Sequence, residues 1–243
     1  MATLTMYPDD ERLEGANRGA FNLYIITAVT LFVLMMLLGL TMRLAQATWL
    51  SVPPDIFYRF LSMHGAGMVG TATLATTAVM WFFLRKYVQL HLWAFMTNYV
   101  LFMLGALCII FAIFVDRYGA LWTFLYPLPV DSKGLWSPNA AALFMVGYLL
   151  IGVGMLVFYL DAAAAIIKVH GNLGRALGLQ WLFGGTIDPD YPKAVVASTM
   201  VIIANTLGIL AGAVVRVMCL INIFYPAMVL NALGVKSVIC WFG

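Results

Sequence analysis

The chain of 243 residues reads as an all-α, polytopic transmembrane helix bundle. Its residues are 64% hydrophobic and only 9% charged, with a mean hydropathy of +0.97, whereas about a quarter of an ordinary soluble domain is charged. The apolar residues form unbroken runs instead of alternating with polar ones. That pattern fits helices and not barrel strands, since a backbone in lipid must satisfy its own hydrogen bonds. A disulfide scaffold is excluded, because Cys108, Cys219 and Cys240 all lie in apolar stretches. The net charge of +3 is scattered, with no run of five basic residues, so no nucleic-acid partner is expected.

A hydrocarbon core about 30 Å thick takes roughly 20 apolar residues in a helix. Six stretches qualify: 19–42, 59–84, 91–115, 139–167, 194–216 and 221–243. Residues 1–18 form a polar N-terminus with Asp9, Asp10, Glu11 and Glu14, and residues 19–243 the transmembrane domain. The first span is too long for a signal-peptide core, so cleavage is not expected. Arg12, Arg18, Arg85, Lys86, Lys168, Arg175 and Lys193 fall on the side of the N-terminus, against Arg43, Arg59, Arg117, Lys133 and Arg216 opposite. That bias predicts a cytoplasmic N-terminus. The connection 116–138 then faces outside, and its Trp122, Tyr126 and Trp136 suit a lid or an interfacial belt. The connection 168–193, rich in glycine with an Asp-Pro-Asp turn at 188–190, reads as a cytoplasmic loop.

Ionisable side chains inside a span are costly and need a partner or a role. His91 opens span three and His170 sits in the 168–193 loop, and both read as polar interface residues. His64 lies within span two, in Ser62-Met63-His64-Gly65-Ala66-Gly67-Met68. It is either a neutral imidazole bonded to a neighbouring helix or an axial ligand to haem iron, with Gly65, Gly67 and Gly70 clearing space for a flat macrocycle. A second histidine ligand at that depth is missing from the chain. Asp161, Arg216 and Lys236 read as interface residues or members of an ion pathway. Arg43 ends span one at the depth of His64. No phosphate-binding loop, paired metal-ligand cysteines or Glu-x-x-His set occurs.

The order of these landmarks resembles the N-terminal half of the twelve-helix subunit I of the haem-copper oxygen reductases, the cytochrome c or quinol oxidases. Leu40-Thr41-Met42-Arg43-Leu44-Ala45-Gln46 is similar to the family's arginine-bearing end of helix one. Tyr58-Arg59-Phe60-Leu61-Ser62-Met63-His64-Gly65 resembles its helix-two motif, whose histidine holds the low-spin haem. Leu121-Trp122-Thr123-Phe124-Leu125-Tyr126-Pro127-Leu128-Pro129 is close to its outer-loop Gly-Trp-Thr-x-Tyr-Pro-Pro-Leu, with Leu121 for Gly and an extra Leu125. Ala142-Leu143-Phe144-Met145-Val146-Gly147-Tyr148 in span four is closest to the B-type branch. Val238-Ile239-Cys240-Trp241-Phe242-Gly243 resembles the segment that leads into His-Pro-x-Val-Tyr on helix six.

The resemblance implies reduction of O2 to water with proton translocation in the cytoplasmic (inner) membrane. His64 would be the low-spin haem ligand, with Arg43 and Tyr58 near the haem and Trp122 and Tyr126 over its propionate end. The high-spin haem and copper would be held by residues beyond 243, so the chain is expected to be a truncated or split subunit, inactive by itself and without catalytic residues. The implied partners are subunit II and other oxidase subunits, with cytochrome c, a copper protein or quinol as electron donor. Two alternatives stand beside it. A nitric oxide reductase-like member would normally follow the helix-two histidine with Thr-Asn, where this chain has Gly65-Ala66. A non-haem six-helix transporter or scaffold would use His64 for proton relay or packing, although no internal repeat is visible.

Overall fold

The computed structural model describes residues 11–121, 132–185 and 191–225. Among them the order is α1 (Glu11–Gln46), α2 (Pro54–Leu84), α3 (Leu92–Phe114), α4 (Pro138–His170), a short α5 (Leu173–Ala176), a 3₁₀ turn (Leu179–Phe183) and α6 (Lys193–Phe224). Five of these helices are long and apolar enough to cross a membrane, and no strand occurs among the described residues. The all-helical bundle is therefore as expected. The first five spans correspond to α1, α2, α3, α4 and α6.

Three boundaries differ from the hydropathy reading. Helix α1 begins at Glu11, inside the segment assigned to the polar N-terminus. Helix α2 begins at Pro54 instead of residue 59, because proline is well placed in a first helical turn and Asp55 complements the positive end of the helix dipole. Arg59 then pairs with Asp55 one turn back at 3.2 Å. Helix α6 runs without a break to Phe224, through the gap expected at 217–220. The charge of Arg216 suggested that gap, yet its guanidinium is tucked over the Tyr148 ring, 4.2 Å from the centroid, and the helix passes straight through. The first four residues of the expected sixth span thus finish α6, Tyr225 caps it, and the remainder lies outside the described residues.

Neighbouring helices run antiparallel. Phe21, Met35 and Gly39 of α1 meet Phe82, Gly67 and His64 of α2. Gly105, Asn98 and His91 meet Gly147, Gly154 and Asp161 between α3 and α4. Tyr148, Gly152 and Tyr159 meet Arg216, Ile209 and Asn205 between α4 and α6. In lipid, association relies on close packing and polar contacts instead of hydrophobic exclusion. The backbones of α3 and α4 come closest at Gly105 and Gly147, where a Cβ on either glycine would run into the other's carbonyl oxygen.

Two aromatic clusters hold the ends. At the end where α1 begins, Phe95 of α3 stacks on Tyr24 at 4.0 Å and on Trp81 at 4.4 Å between ring centroids, so three helices share one stack. The Tyr24 hydroxyl donates to the Phe95 carbonyl at 2.6 Å and accepts from Asn98 at 3.1 Å. At the far end Tyr118 packs on Phe144 and Trp136.

Asp161 caps α3. Its carboxylate accepts the backbone N–H of His91 at 3.0 Å and the His91 Nδ1–H at 2.6 Å, supplying from α4 the acceptor that α3 lacks at its own N-terminus. The Asp161 side chain is 8% exposed and the His91 ring 59% exposed, so the backbone bond carries most of the worth. Asp161→Ala is expected to cost about 1 kcal/mol, as loss of a helix cap does, with Asp161→Asn milder. Thermal unfolding of the purified protein checks both.

Candidate functional site

His64 is reached 10 residues after the first residue of α2, nearly three turns into the helix and deeper than the hydropathy boundary implied. Its half-buried ring turns toward α1, where Nδ1 lies 2.7 Å from the Met35 carbonyl oxygen. A carbonyl can only accept, so Nδ1 carries a proton, and in the neutral imidazole Nε2 is then the nitrogen with the lone pair. Nε2 makes no hydrogen bond among the described residues. The space for the ring is cut by Gly39, where a Cβ would lie 2.9 Å from Cε1 and 3.5 Å from Nε2. The joint is reciprocal: the Met35 side chain fills the notch at Gly67, where a Cβ would collide with its sulfur.

This differs from the role expected of the glycines. Gly67 is occupied by Met35, and the Phe102 ring faces Gly70, where a Cβ would lie 3.3 Å from it. Both are notches for helix packing, and neither leaves a bed for a macrocycle. The imidazole itself does suit an iron ligand. Its Nδ1–H donates to a backbone carbonyl, fixing the tautomer and ring orientation in the manner usual for metal-bound histidine, and it presents Nε2 unengaged. No three His, Cys, Asp or Glu side chains converge among the described residues, so His64 is a solitary ligand candidate there.

Arg43 lies one turn beyond Gly39 on α1 and is exposed, donating through Nη1 to Gln46 at 2.9 Å. Gln46 and Tyr58, with Ser51 and Phe57, line a cavity of about 540 Å³ at the far end of α1 and α2. Tyr58 lines that cavity and Arg43 does not; Arg43 reaches only Gln46 on its rim. His64 does not line that cavity and sits about 9 Å deeper along α2 than Tyr58, at 1.5 Å per residue. Trp122 and Tyr126 lie outside the described residues. What leads to them is anchored to α2: the Leu121 N–H donates to Ser62 Oγ at 3.0 Å, and the Ser62 hydroxyl donates to the Tyr58 carbonyl at 2.8 Å. Leu121 holds a left-handed φ of 63° there, and Arg117 one of 64° on the other side of buried Tyr118. Such non-glycine strain persists only where surrounding contacts impose it.

Sequence reasoning missed Gly39 and Met35. Gly39 is the only glycine between Leu31 and Leu44, a visible interruption whose meaning depends on the ring facing it. The other two histidines stay apart from His64. His91 binds Asp161, and His170 Nδ1 lies 3.1 Å from the Tyr191 hydroxyl at the end where α1 begins.

The fold and site define an all-helical, multi-pass membrane protein with one intramembrane imidazole held by its Nδ1–H. The model of the family described as cytochrome c and quinol oxidase polypeptide I matches residues 20–243, and the chain belongs to that family. No curated protein and no solved structure matches the chain. Membership makes it a respiratory oxidase subunit I of the haem-copper oxidoreductase type. It implies haem and copper in the full subunit and association with other oxidase subunits and a cytochrome c or quinol donor.

Proposed function

We propose that the chain is the low-spin-haem-binding first part of a B-type oxidase subunit I, within a complex that reduces O2 to water and translocates protons across the inner membrane. The observation that supports this most is His64, whose Nδ1–H is bound by the Met35 carbonyl while Nε2 is left unengaged. A bound haem would supply a one-electron carrier. The chain's own work is to present Nε2 as a ligand, to keep the ring from turning by the hydrogen bond and the Gly39 notch, and to exclude water with the packed α1–α2 face. In this reading Arg43 and Tyr58 would lie near the haem and Trp122 and Tyr126 over its propionate end. The copper and high-spin haem centres belong to the full subunit in this reading. Subunit II and a donor that is cytochrome c, a copper protein or quinol complete the electron path.

The complex purified from its native membrane should show a six-coordinate low-spin haem signal and consume oxygen when given a reduced donor. A purified complex containing this chain but no low-spin haem would overturn the reading. A reporter fused within 116–138 should label from outside the cell; labelling from the cytoplasm would reverse the orientation.

A further inference from the structure

Between α2, α4 and α6 lies a cavity of about 260 Å³ that His64 does not line. Its α4 wall runs from Tyr148 to Leu156 and its α6 wall from Ile209 to Arg216, so it is about 10–12 Å long at 1.5 Å per residue. That volume over that length is a slot one chain wide. Its polarity is confined to one end. Arg216 and Tyr148 stand at the far end, while Met155 and Ile209 close the other. Thr73 there already donates its hydroxyl to the Gly70 carbonyl at 2.8 Å and asks for nothing more.

The polar end is incomplete. Arg216 has its guanidinium over the Tyr148 ring and no carboxylate within ion-pair distance among the described residues. The Tyr148 hydroxyl is buried without a hydrogen-bond partner. A cation at membrane depth without a counter-charge is costly, and so is a buried hydroxyl with nothing to donate to. Both groups are donors, and both want an acceptor that carries negative charge. Water would answer the hydroxyl and leave the charge, and it has no partners in the apolar remainder of the slot. A carboxylate answers both, and an unbranched hydrocarbon fills the rest.

We propose that this slot binds an unbranched fatty acid, with its carboxylate on Arg216 and Tyr148 and its chain directed toward Met155. The test uses decanoate on the complex purified in neutral detergent and stripped of lipid, by equilibrium dialysis against detergent alone. Decanoate should bind saturably, one per chain, while decanol, which lacks the charge, and acetate, which lacks the chain, should bind far more weakly. Arg216→Met keeps an unbranched side chain in place and should weaken decanoate roughly tenfold or more, as truncation of one partner in a buried charge pair does. Tyr148→Phe keeps the ring beneath the guanidinium and should weaken it roughly three- to fivefold, so the second variant carries the test if the first fails to fold. Equal binding by wild type and both variants, or decanol binding as tightly as decanoate, would overturn the proposal. So would acetate competing as well as decanoate, or saturable binding only with dioleoylphosphatidylglycerol, which would mark the site as an anion pocket or a phospholipid groove.

Discussion

His64→Ala is expected to abolish the low-spin haem signal of the purified complex while leaving the helices assembled. The two effects separate because they differ in size. Within the protein, the imidazole makes one hydrogen bond, to the Met35 carbonyl, and an interhelical bond in a membrane is worth about 0.6 kcal/mol on average, so the fold survives its loss. An axial ligand, by contrast, has no substitute among the described residues, where no other histidine approaches His64. A graded companion is Gly39→Ala. The new Cβ lies 2.9 Å from Cε1, so the ring must shift by a few tenths of an ångström. Its expected result is a displaced absorption band and midpoint potential with the haem retained. Retention of the six-coordinate signal in His64→Ala, read by electron paramagnetic resonance, would remove the ligand assignment and leave His64 as a packing residue.

Gly147→Leu is expected to prevent assembly of the bundle. A Cβ at this position meets the Gly105 carbonyl oxygen at 2.7 Å and Ile109 at 2.8 Å. The first obstacle is backbone and cannot rotate away, so α3 and α4 must separate along their whole contact. Overpacking against movable side chains costs about 1–3 kcal/mol, and here the cost should exceed that range, a large share of the roughly 5–15 kcal/mol that holds a typical protein folded. Gly19→Ala is the contrast. Nothing lies within 4 Å of its added Cβ, and the substitution should be neutral or raise stability by up to about 1 kcal/mol through helix propensity. Yield of folded protein from membranes and the midpoint of denaturation in mixed detergent measure both. Equal behaviour of the two variants would show that the α3–α4 contact is not close.

The sequence made the helices legible because a bilayer fixes their length and polarity, and the place of His64 inside the second span followed from counting residues. Its depth was underestimated because α2 begins at Pro54. Helix ends were less legible. Hydropathy treats charge as a stop, so Arg59 and Arg216 were placed at boundaries that the helices ignore once each guanidinium finds Asp55 or the Tyr148 ring. The glycines were least legible. Gly67 and Gly70 looked like clearance for a cofactor and are filled by Met35 and Phe102, while Gly39, which does serve the imidazole, lies 25 residues upstream of His64 on another helix. A missing side chain states only that something comes close. Asp161 illustrates the same limit, since its partner is the first turn of a helix some 70 residues away in the chain.

The Ser62 hydroxyl has a mechanical consequence. It grips Leu121 with one side and its own helix with the other, two residues before His64. Any protein that docks over the far face and lifts the chain beyond Leu121 must break that knot or pull on it, and the pull arrives within one turn of the imidazole. The chain at Leu121 and the imidazole therefore share a tether, so under the proposed haem assignment the spectrum would report on what is seated above it.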